Sequence, residues 1–134
     1  MSATRPTLVV MAKAPVAGAV KTRLAREVGV GEALRFYRTT LQRTLRNLGR
    51  DPRWTTLVAA APDAAVAFPW PHRVGAIPQG RGDLGARMQR VLDRAPGGSC
   101  AIVGSDIPGI EAAHVAHAFR LLRRHDVVFG PADD

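Results

Sequence analysis

Two patterns of hydrophobic and polar positions alternate along the chain. Short apolar runs, typical of buried strands, are separated by stretches in which apolar residues recur every three or four positions, as in helices. The predicted strands cover residues 7–12, 54–61, 74–77, 100–104 and 126–130. The predicted helices cover residues 23–28, 32–48, 84–94 and 110–124. Strands that alternate with helices predict a mostly parallel sheet with helices on both faces.

The most regular helical pattern lies in residues 32–48. Its apolar face is made by Leu34, Tyr37, Leu41, Leu45 and Leu48. The arginines of this region lie mostly outside that face, namely Arg35, Arg38, Arg43, Arg46 and Arg50. Gly49 follows the last apolar position and predicts the end of the helix. The sequence therefore predicts an amphipathic helix with a basic outer surface.

The chain has 134 residues, 46% hydrophobic and 22% charged, which is the composition of a globular domain. We expect a single domain over residues 1–134. A single cysteine, Cys100, excludes a disulfide framework or a cysteine-based zinc site within the chain. The first residues lack the apolar core of a signal peptide, and no apolar run reaches membrane-spanning length. We therefore expect a soluble, cytoplasmic protein with no membrane partner.

The formal net charge of +8 raises the alternative of a nucleic-acid-binding domain. Aromatic residues make up only 5% of the chain, and they do not alternate with the basic residues as a stacking surface for bases would require. We therefore favour a solvated basic helix face over a nucleic-acid interface.

The segment LVVMAKAPVAGAVKTRL, residues 8–24, is the first candidate for ligand chemistry. An apolar strand ends in a loop that contains Lys13 and Gly18, and a helix then starts with Lys21, Thr22 and Arg23. Glycine permits close backbone approach to a ligand, and cations beside the N–H groups of a helix start favour phosphate. The Walker pattern and the pattern G-x-G-x-x-G are both absent. The segment predicts a pocket for a phosphate-bearing ligand, with exposed cations of a first helical turn as the alternative.

A second candidate loop, QGRGDLGARM, covers residues 79–88. Gly82 lies in a glycine-rich turn, Asp83 is placed to cap the following helix, and Arg87 falls on the first turn of that helix. A capped helix start explains Asp83 without a ligand, but it does not explain so many glycines beside polar and basic residues. The loop therefore predicts either further nucleotide contacts or a simple cap.

Two acidic motifs are candidates for metal binding. Asp106 in GSDIPG directly follows the apolar run of residues 100–104, where a carboxylate could hold magnesium against substrate phosphates or simply cap the next turn. The motif GPADD, residues 130–134, offers two more carboxylates, although we favour a frayed acidic tail. Because ligands of parallel sheets lie beyond the carboxyl ends of the strands, Lys13 and Asp106 are expected at the same edge.

Other reactive residue types give weaker signals. His114 and His117 have a spacing compatible with metal binding on a helix, but no companion cysteine or HExxH pattern accompanies them. Ser105 lacks the G-x-S-x-G context of a serine hydrolase, and Cys100 lies inside a predicted strand. Ordinary structural positions are therefore the favoured interpretation of these residues.

In order, MAKAPVAGAVKTRL, QGRGDLGARM, GSDIPG and VVFGPADD resemble a bacterial family of mostly uncharacterised glycosyltransferase-like proteins, some of the arsenosugar-biosynthesis type. That family belongs to the nucleotide-diphospho-sugar transferase (GT-A) superfamily, which includes nucleotidyltransferases. The resemblance spans almost the whole chain and implies a Rossmann-like three-layer α/β/α sandwich. It implies phosphate contacts from Lys13, Lys21 and Arg23. It also implies that Asp83 and its neighbouring glycines lie near the base or ribose, and that Asp106 binds Mg²⁺ or Mn²⁺.

One departure from the family pattern concerns the end of the sequence. In the family, the segment that resembles GPADD continues into a Gly-Gly-Tyr block and further strands that complete the acceptor side. Here the sequence ends at Asp134, so we expect the nucleotide-binding part without the acceptor part. An unpaired sheet edge would favour self-association, so we also expect a homo-oligomer.

The predicted function is a metal-dependent transferase with a nucleotide donor. On the resemblance we favour glycosyl transfer from a nucleotide sugar to a small-molecule acceptor that the sequence does not identify. Transfer of a nucleotide to a phosphorylated small molecule uses the same kind of pocket and is an alternative. A nucleotide-binding module without catalysis is a second alternative, and a basic nucleic-acid-binding domain is the least favoured.

Overall fold

The structure, a computed structural model, describes residues 5–16, 22–95, 98–105, 109–125 and 127. Its strands are β1 (Thr7–Lys13), β2 (Thr55–Ala61), β3 (Gly75–Pro78) and β4 (Cys100–Gly104). Its α-helices are α1 (Thr22–Val28), α2 (Val30–Leu48), α3 (Leu84–Arg94) and α4 (Ala112–Leu121). Short 3₁₀ helices at Asp63–Ala67 and Pro71–Arg73 lie between β2 and β3. This order of elements confirms the predicted α/β class.

The strands of the described residues form one parallel sheet in the order β3-β2-β1-β4. β1 pairs with β2 along its whole length, as far as Lys13 opposite Ala61. Its pairing with β4 stops earlier, at Met11 opposite Gly104. The chain moves from β1 outward to β2 and β3, and then crosses back to the other side of β1. The strand order therefore reverses between β1 and β4.

Each face of the sheet has its own apolar core. Leu8 and Val10 of β1 are fully buried on the face that α2 and α4 cover. Val9 is buried on the opposite face, where it packs with Val91 of α3. Right-handed crossovers produce this arrangement, because the connection from β1 to β2 and the connection from β3 to β4 run in opposite directions across the sheet. The predicted three-layer α/β/α arrangement is confirmed.

α2 agrees with its sequence pattern. Its buried residues include Tyr37, Leu41, Leu45 and Leu48, and its arginines are exposed. Gly49 ends the helix as predicted, and its N–H donates to the carbonyl oxygen of Leu45 (2.8 Å). The basic surface is thus the solvated side of an amphipathic helix.

The remaining differences from the predicted elements have local causes. α4 begins at Ala112, two residues later than predicted, because Glu111 is its N-cap. The His114 N–H donates to the backbone carbonyl oxygen of Glu111 (3.0 Å), while His114 Nδ1 accepts from the Glu111 N–H (2.9 Å). The strand predicted over residues 126–130 lies outside the described residues, apart from residue 127.

Within the described ranges no helix is both long and apolar enough to cross a membrane.

Candidate functional site

The strand order reverses between β1 and β4, and the region beyond the carboxyl ends of these two strands is called the crevice below. β4 ends at Gly104, so Lys13 continues beyond the last residue of β4 while it still pairs with β2. In open α/β sheets, ligands bind outside the carboxyl ends of the strands at such a reversal. The topology therefore makes this crevice the candidate ligand site.

The hydroxyl of Tyr37 connects the two strand ends. It accepts a hydrogen bond from the Lys13 N–H (3.0 Å) and donates one to the Lys13 carbonyl oxygen (2.7 Å). The hydroxyl of Ser105, the residue after β4, donates to the hydroxyl oxygen of Tyr37 over 3.5 Å. Tyr37 is 5% exposed and Ser105 is 7% exposed. The crevice is therefore bounded by a buried network of hydrogen bonds rather than by packing alone.

The structure places one predicted phosphate contact at this crevice. The side chain of Lys13 is exposed at the end of β1, where its backbone is bonded to Tyr37 and that of the next residue, Ala14, is bonded to β2. Gly18 and Lys21 lie outside the described residues. Thr22 and Arg23 form the first turn of α1, of which the backbone is described. Phosphate binding by these residues stays a prediction.

The loop after β3 is shaped by arginines of the helix that follows it. Gln79 is buried, and its Nε2 donates to the carbonyl oxygen of Ala59 (2.8 Å). Arg87 donates from Nη1 to Gln79 Oε1 (3.2 Å) and from Nε to the carbonyl oxygen of Gly82 (2.8 Å). Arg90 donates from Nη1 to the carbonyl oxygen of Gln79 (2.5 Å). Arg87, a predicted ligand contact, therefore has a structural role in this loop.

Asp83 has the capping role that the sequence offered as an alternative. Its Oδ1 accepts from the Ala86 N–H (2.8 Å), and it is the N-cap of α3. Gly82, just before it, has a φ of 108°, in the left-handed region that favours glycine. The Gly80 N–H donates to Asp63 Oδ1 (2.9 Å) and links the loop to the end of β2. Contact of Asp83 with a base or ribose stays a prediction.

The predicted metal site depends on residues near the end of the sequence. Asp106 and residues 130–134 lie outside the described residues. In the part of the chain that the structure describes, no three or more His, Cys, Asp or Glu side chains are grouped so as to hold a metal ion. His114 is engaged in the cap of α4, and His117 is exposed on that helix. The prediction of a metal therefore rests on Asp106.

A cleft of about 220 Å³ lies on the α2 side of the protein. Its lining residues are Pro15, Arg38, Leu41, Gln42, Phe68, Pro69 and Pro71. Arg38 and Gln42 give this mostly apolar cleft a cation and an amide. Since Pro15 comes two residues after Lys13, the cleft adjoins the loop that leaves β1.

The sequence places the protein in a known bacterial family. The DUF2064 family, described as "Uncharacterized protein conserved in bacteria", matches residues 44–134. The chain belongs to DUF2064. No curated protein has a significant sequence match to this DUF2064 chain.

A solved structure resembles the DUF2064 chain in both fold and sequence. It is the crystal structure of a "putative nucleotide-diphospho-sugar transferase" from Desulfovibrio desulfuricans G20. The two proteins are 29% identical and superpose with a TM-score of 0.76 over 90% of this chain. This chain spans 55% of the length of the Desulfovibrio protein. The likeness supports the predicted superfamily, while the arsenosugar-type subfamily and the missing C-terminal part stay predictions.

The sequence does not identify two residues of the crevice, Tyr37 and Ser105, as functional. The helical pattern places Tyr37 on an apolar helix face, and the sequence around Ser105 bears only on a role as a nucleophile. The one usable signal is a tyrosine within a stripe of leucines, because a buried hydroxyl needs a hydrogen-bond partner. Its partners, Lys13 and Ser105, are 24 and 68 residues away in the sequence.

Cys100 lies beside the core of the α3 face. It is half-buried in β4 and packs with the cluster around Val9 and Val91. Burial raises the pKa of its thiol, which lowers the fraction of the nucleophilic thiolate at neutral pH. A structural role for Cys100, as the sequence predicts, agrees with this environment.

Proposed function

We propose that this DUF2064 chain binds the donor of a nucleotide-diphospho-sugar transferase in the crevice between β1 and β4. The observation that carries the proposal is the position of Lys13, a cation at the carboxyl end of the central strand, where the strand order reverses. The 29% identity to the Desulfovibrio protein supports the same assignment.

The phosphates of the donor would lie nearest β1. Lys13 is exposed there, and the sequence supplies Lys21 and Arg23 in the segment that follows. Fixed cations that face developing negative charge stabilise a departing nucleoside diphosphate more than they stabilise the bound donor. These residues would therefore both bind the diphosphate and favour its departure.

The nucleoside would extend toward the loop after β3. β3 lies two strands from β1 in the sheet, which is about 10 Å at the usual strand spacing. An extended nucleoside diphosphate spans such a distance. The loop is held in shape by Arg87 and Arg90, so its backbone around Gly82 would present a fixed surface to the base or ribose.

Asp106 is the carboxylate that we assign to a divalent cation, Mg²⁺ or Mn²⁺. Asp63 and Asp83 each already accept a backbone N–H, which fits a structural role better than a metal site. When bound, the cation would neutralise charge on the donor phosphates.

Glycosyl transfer is the reaction that we favour, because both the resemblance and the name of the Desulfovibrio protein concern nucleotide-diphospho-sugars. Transfer of a nucleotide to a phosphorylated small molecule would use the same phosphate contacts. Product analysis with nucleotide sugars and with nucleoside triphosphates distinguishes the two reactions.

The first experiment is a calorimetric titration of the chain with UDP, GDP, CDP, dTDP and ADP, with and without MgCl₂. We expect one of them to bind, and Lys13→Ala to weaken its binding by about 10- to 100-fold, the effect of losing one charged hydrogen bond. Arg46→Ala is the matched control. It removes an exposed cation of α2 that lies nine residues after Tyr37. That separation is about 13 Å along the helix. Equal binding by all three proteins would contradict the proposed site.

The metal assignment has its own test. Asp106→Asn should abolish the part of the affinity that depends on MgCl₂ and leave the far-ultraviolet circular dichroism unchanged. A variant that keeps the full magnesium effect would exclude Asp106 as the ligand. Steeply salt-dependent binding to DNA or RNA that Lys21→Ala leaves unchanged would instead favour the nucleic-acid alternative.

A further inference from the structure

We infer that the hydroxyl of Tyr37 is a positioning group for the donor crevice, which sets the direction of Lys13 and the separation of the ends of β1 and β4. This inference rests on the proposed function. The residue lies outside the segments from which the candidate site is predicted, on a helix whose pattern marks it as core.

The backbone of Lys13 needs such a group because of the way in which β4 ends. The Ala14 N–H donates to the carbonyl oxygen of Ala61 (2.9 Å), so Ala14 is bonded toward β2. Successive residues of a strand direct their N–H and C=O groups to opposite sides, so those of Lys13 are directed toward β4. β4 pairs with β1 only as far as Gly104. The strand partner of Lys13 is therefore replaced by another group.

The hydroxyl of Tyr37 supplies both the acceptor and the donor that a longer β4 would have supplied. One oxygen accepts from the Lys13 N–H (3.0 Å) and donates to the Lys13 carbonyl oxygen (2.7 Å). A phenylalanine would fill the same buried space but leave these two backbone groups without that partner. The chemistry of the hydroxyl, rather than the size of the ring, is what this position uses.

The same oxygen also connects β1 to the strand on the other side of the crevice. The Ser105 hydroxyl donates to it over 3.5 Å, and Ser105 directly precedes Asp106 in the sequence. A single buried oxygen thus relates the backbone that carries the proposed phosphate-binding cation to the strand end that leads to the proposed metal ligand. Its loss should affect donor binding through position, without removing any ligand contact.

Amide hydrogen exchange tests the local part of this inference. In Tyr37→Phe, exchange of the Lys13 N–H should accelerate by about tenfold or more, because its hydrogen-bond partner is lost. The amides of Leu8 and Val10, at the centre of β1, should keep their protection. Unchanged exchange at Lys13, or equal acceleration along the whole strand, would overturn the inference.

Calorimetry with the nucleoside diphosphate that binds the unaltered chain most tightly tests the functional part. Tyr37→Phe should weaken binding by about tenfold, the equivalent of one lost hydrogen bond. In a Lys13→Ala background the same change should cost clearly less than about tenfold, because one of the two features that it positions, the Lys13 side chain, is already absent. A general loss of stability would instead weaken binding by the same factor in both backgrounds.

Thr44→Val is the matched control, since it removes a buried hydroxyl from α2 two turns beyond Tyr37. We expect it to leave the affinity within about twofold of the unaltered chain. Equal weakening by Thr44→Val and Tyr37→Phe would contradict a positioning role. If the unaltered chain binds none of the five diphosphates, the proposed function fails and the positioning role with it. If it binds and Tyr37→Phe binds equally well, only the positioning role fails.

Discussion

Replacement of Gly80 by alanine tests how the loop after β3 is held. Gly80 has a φ of 78°, in the left-handed region. A Cβ atom there would overlap the guanidinium group of Arg90, lying 2.7 Å from its Cζ. Arg90 can move aside, because its guanidinium is the end of a flexible side chain. It would then lose its hydrogen bond to the carbonyl oxygen of Gln79.

The expected cost has two parts. A left-handed conformation costs a residue with a Cβ about 1–2 kcal/mol relative to glycine. Loss of a hydrogen bond from a charged donor costs about 1.5–3 kcal/mol when the bond is buried, and we take about 1 kcal/mol because Arg90 is only half-buried. Gly80→Ala should therefore lower the free energy of unfolding by about 2–3 kcal/mol.

Urea denaturation, followed by the fluorescence of Trp54 and Trp70, measures this change. Gly85→Ala is the matched control, because a Cβ at Gly85 meets only the Oδ1 of Asp83 at an ordinary 3.6 Å. Since Gly85 lies in the first turn of α3, its replacement should raise the free energy of unfolding by up to about 0.5 kcal/mol, less than in a helix interior. Opposite signs for the two replacements are the expected result.

A double-mutant cycle separates the two parts of the cost. In an Arg90→Ala background, Gly80→Ala should retain only the backbone strain, about 1–2 kcal/mol. An unchanged cost in that background would show that Arg90 does not constrain the loop. A cost of zero in the unaltered background would refute the left-handed conformation of Gly80 itself.

Two further predictions concern α3 and β4. Asp83→Ala should lower the free energy of unfolding by about 1 kcal/mol, because the Ala86 N–H loses its side-chain acceptor; Asp83→Asn, which preserves an acceptor oxygen, should cost less in the same urea assay. Burial raises the pKa of the Cys100 thiol above its usual 9.0, so the folded chain holds this proton more tightly than the unfolded chain. The resulting stabilisation is complete below about pH 9 and is lost as the pH rises through the folded pKa. Between pH 8 and pH 10.5 the unaltered chain should therefore lose more stability than Cys100→Ala does, and an equal loss would contradict the burial of the thiol.

Local patterns were sufficient to predict most of the elements. The apolar run that ends at Ala12 and the leucine repeat of α2 indicate burial directly, because an apolar residue at a position predicts that the position is buried. Strand order is not recorded in this way. That β4 lies beside β1 depends on Val9, Val91 and Ile102 packing together on the α3 face, and no short segment contains that information.

The candidate site was predictable to a smaller extent. Lys13 was predicted because a cation directly follows an apolar run, which is a local feature. Arg87 was predicted because it follows a glycine-rich loop. In the structure its guanidinium group is held by Gln79, a buried side chain that is itself bonded to Ala59 in β2. A sequence shows which side chains can bind phosphate. Only the folded structure shows which of them already donate hydrogen bonds to nearby backbone oxygens.

The reversal of strand order between β1 and β4 determines when each edge of β1 can pair during synthesis. Of the described strands β1 is synthesised before the others, and Thr7 pairs with Thr55 on one side and with Cys100 on the other only after each has been synthesised. At a synthesis rate of about 5–20 residues per second, the second neighbour arrives roughly 5–20 s after the first strand. Until then the edge of β1 that later pairs with β4 is open to pairing with other nascent chains. Among the described strands, the junction between β1 and β4 is therefore the last to form.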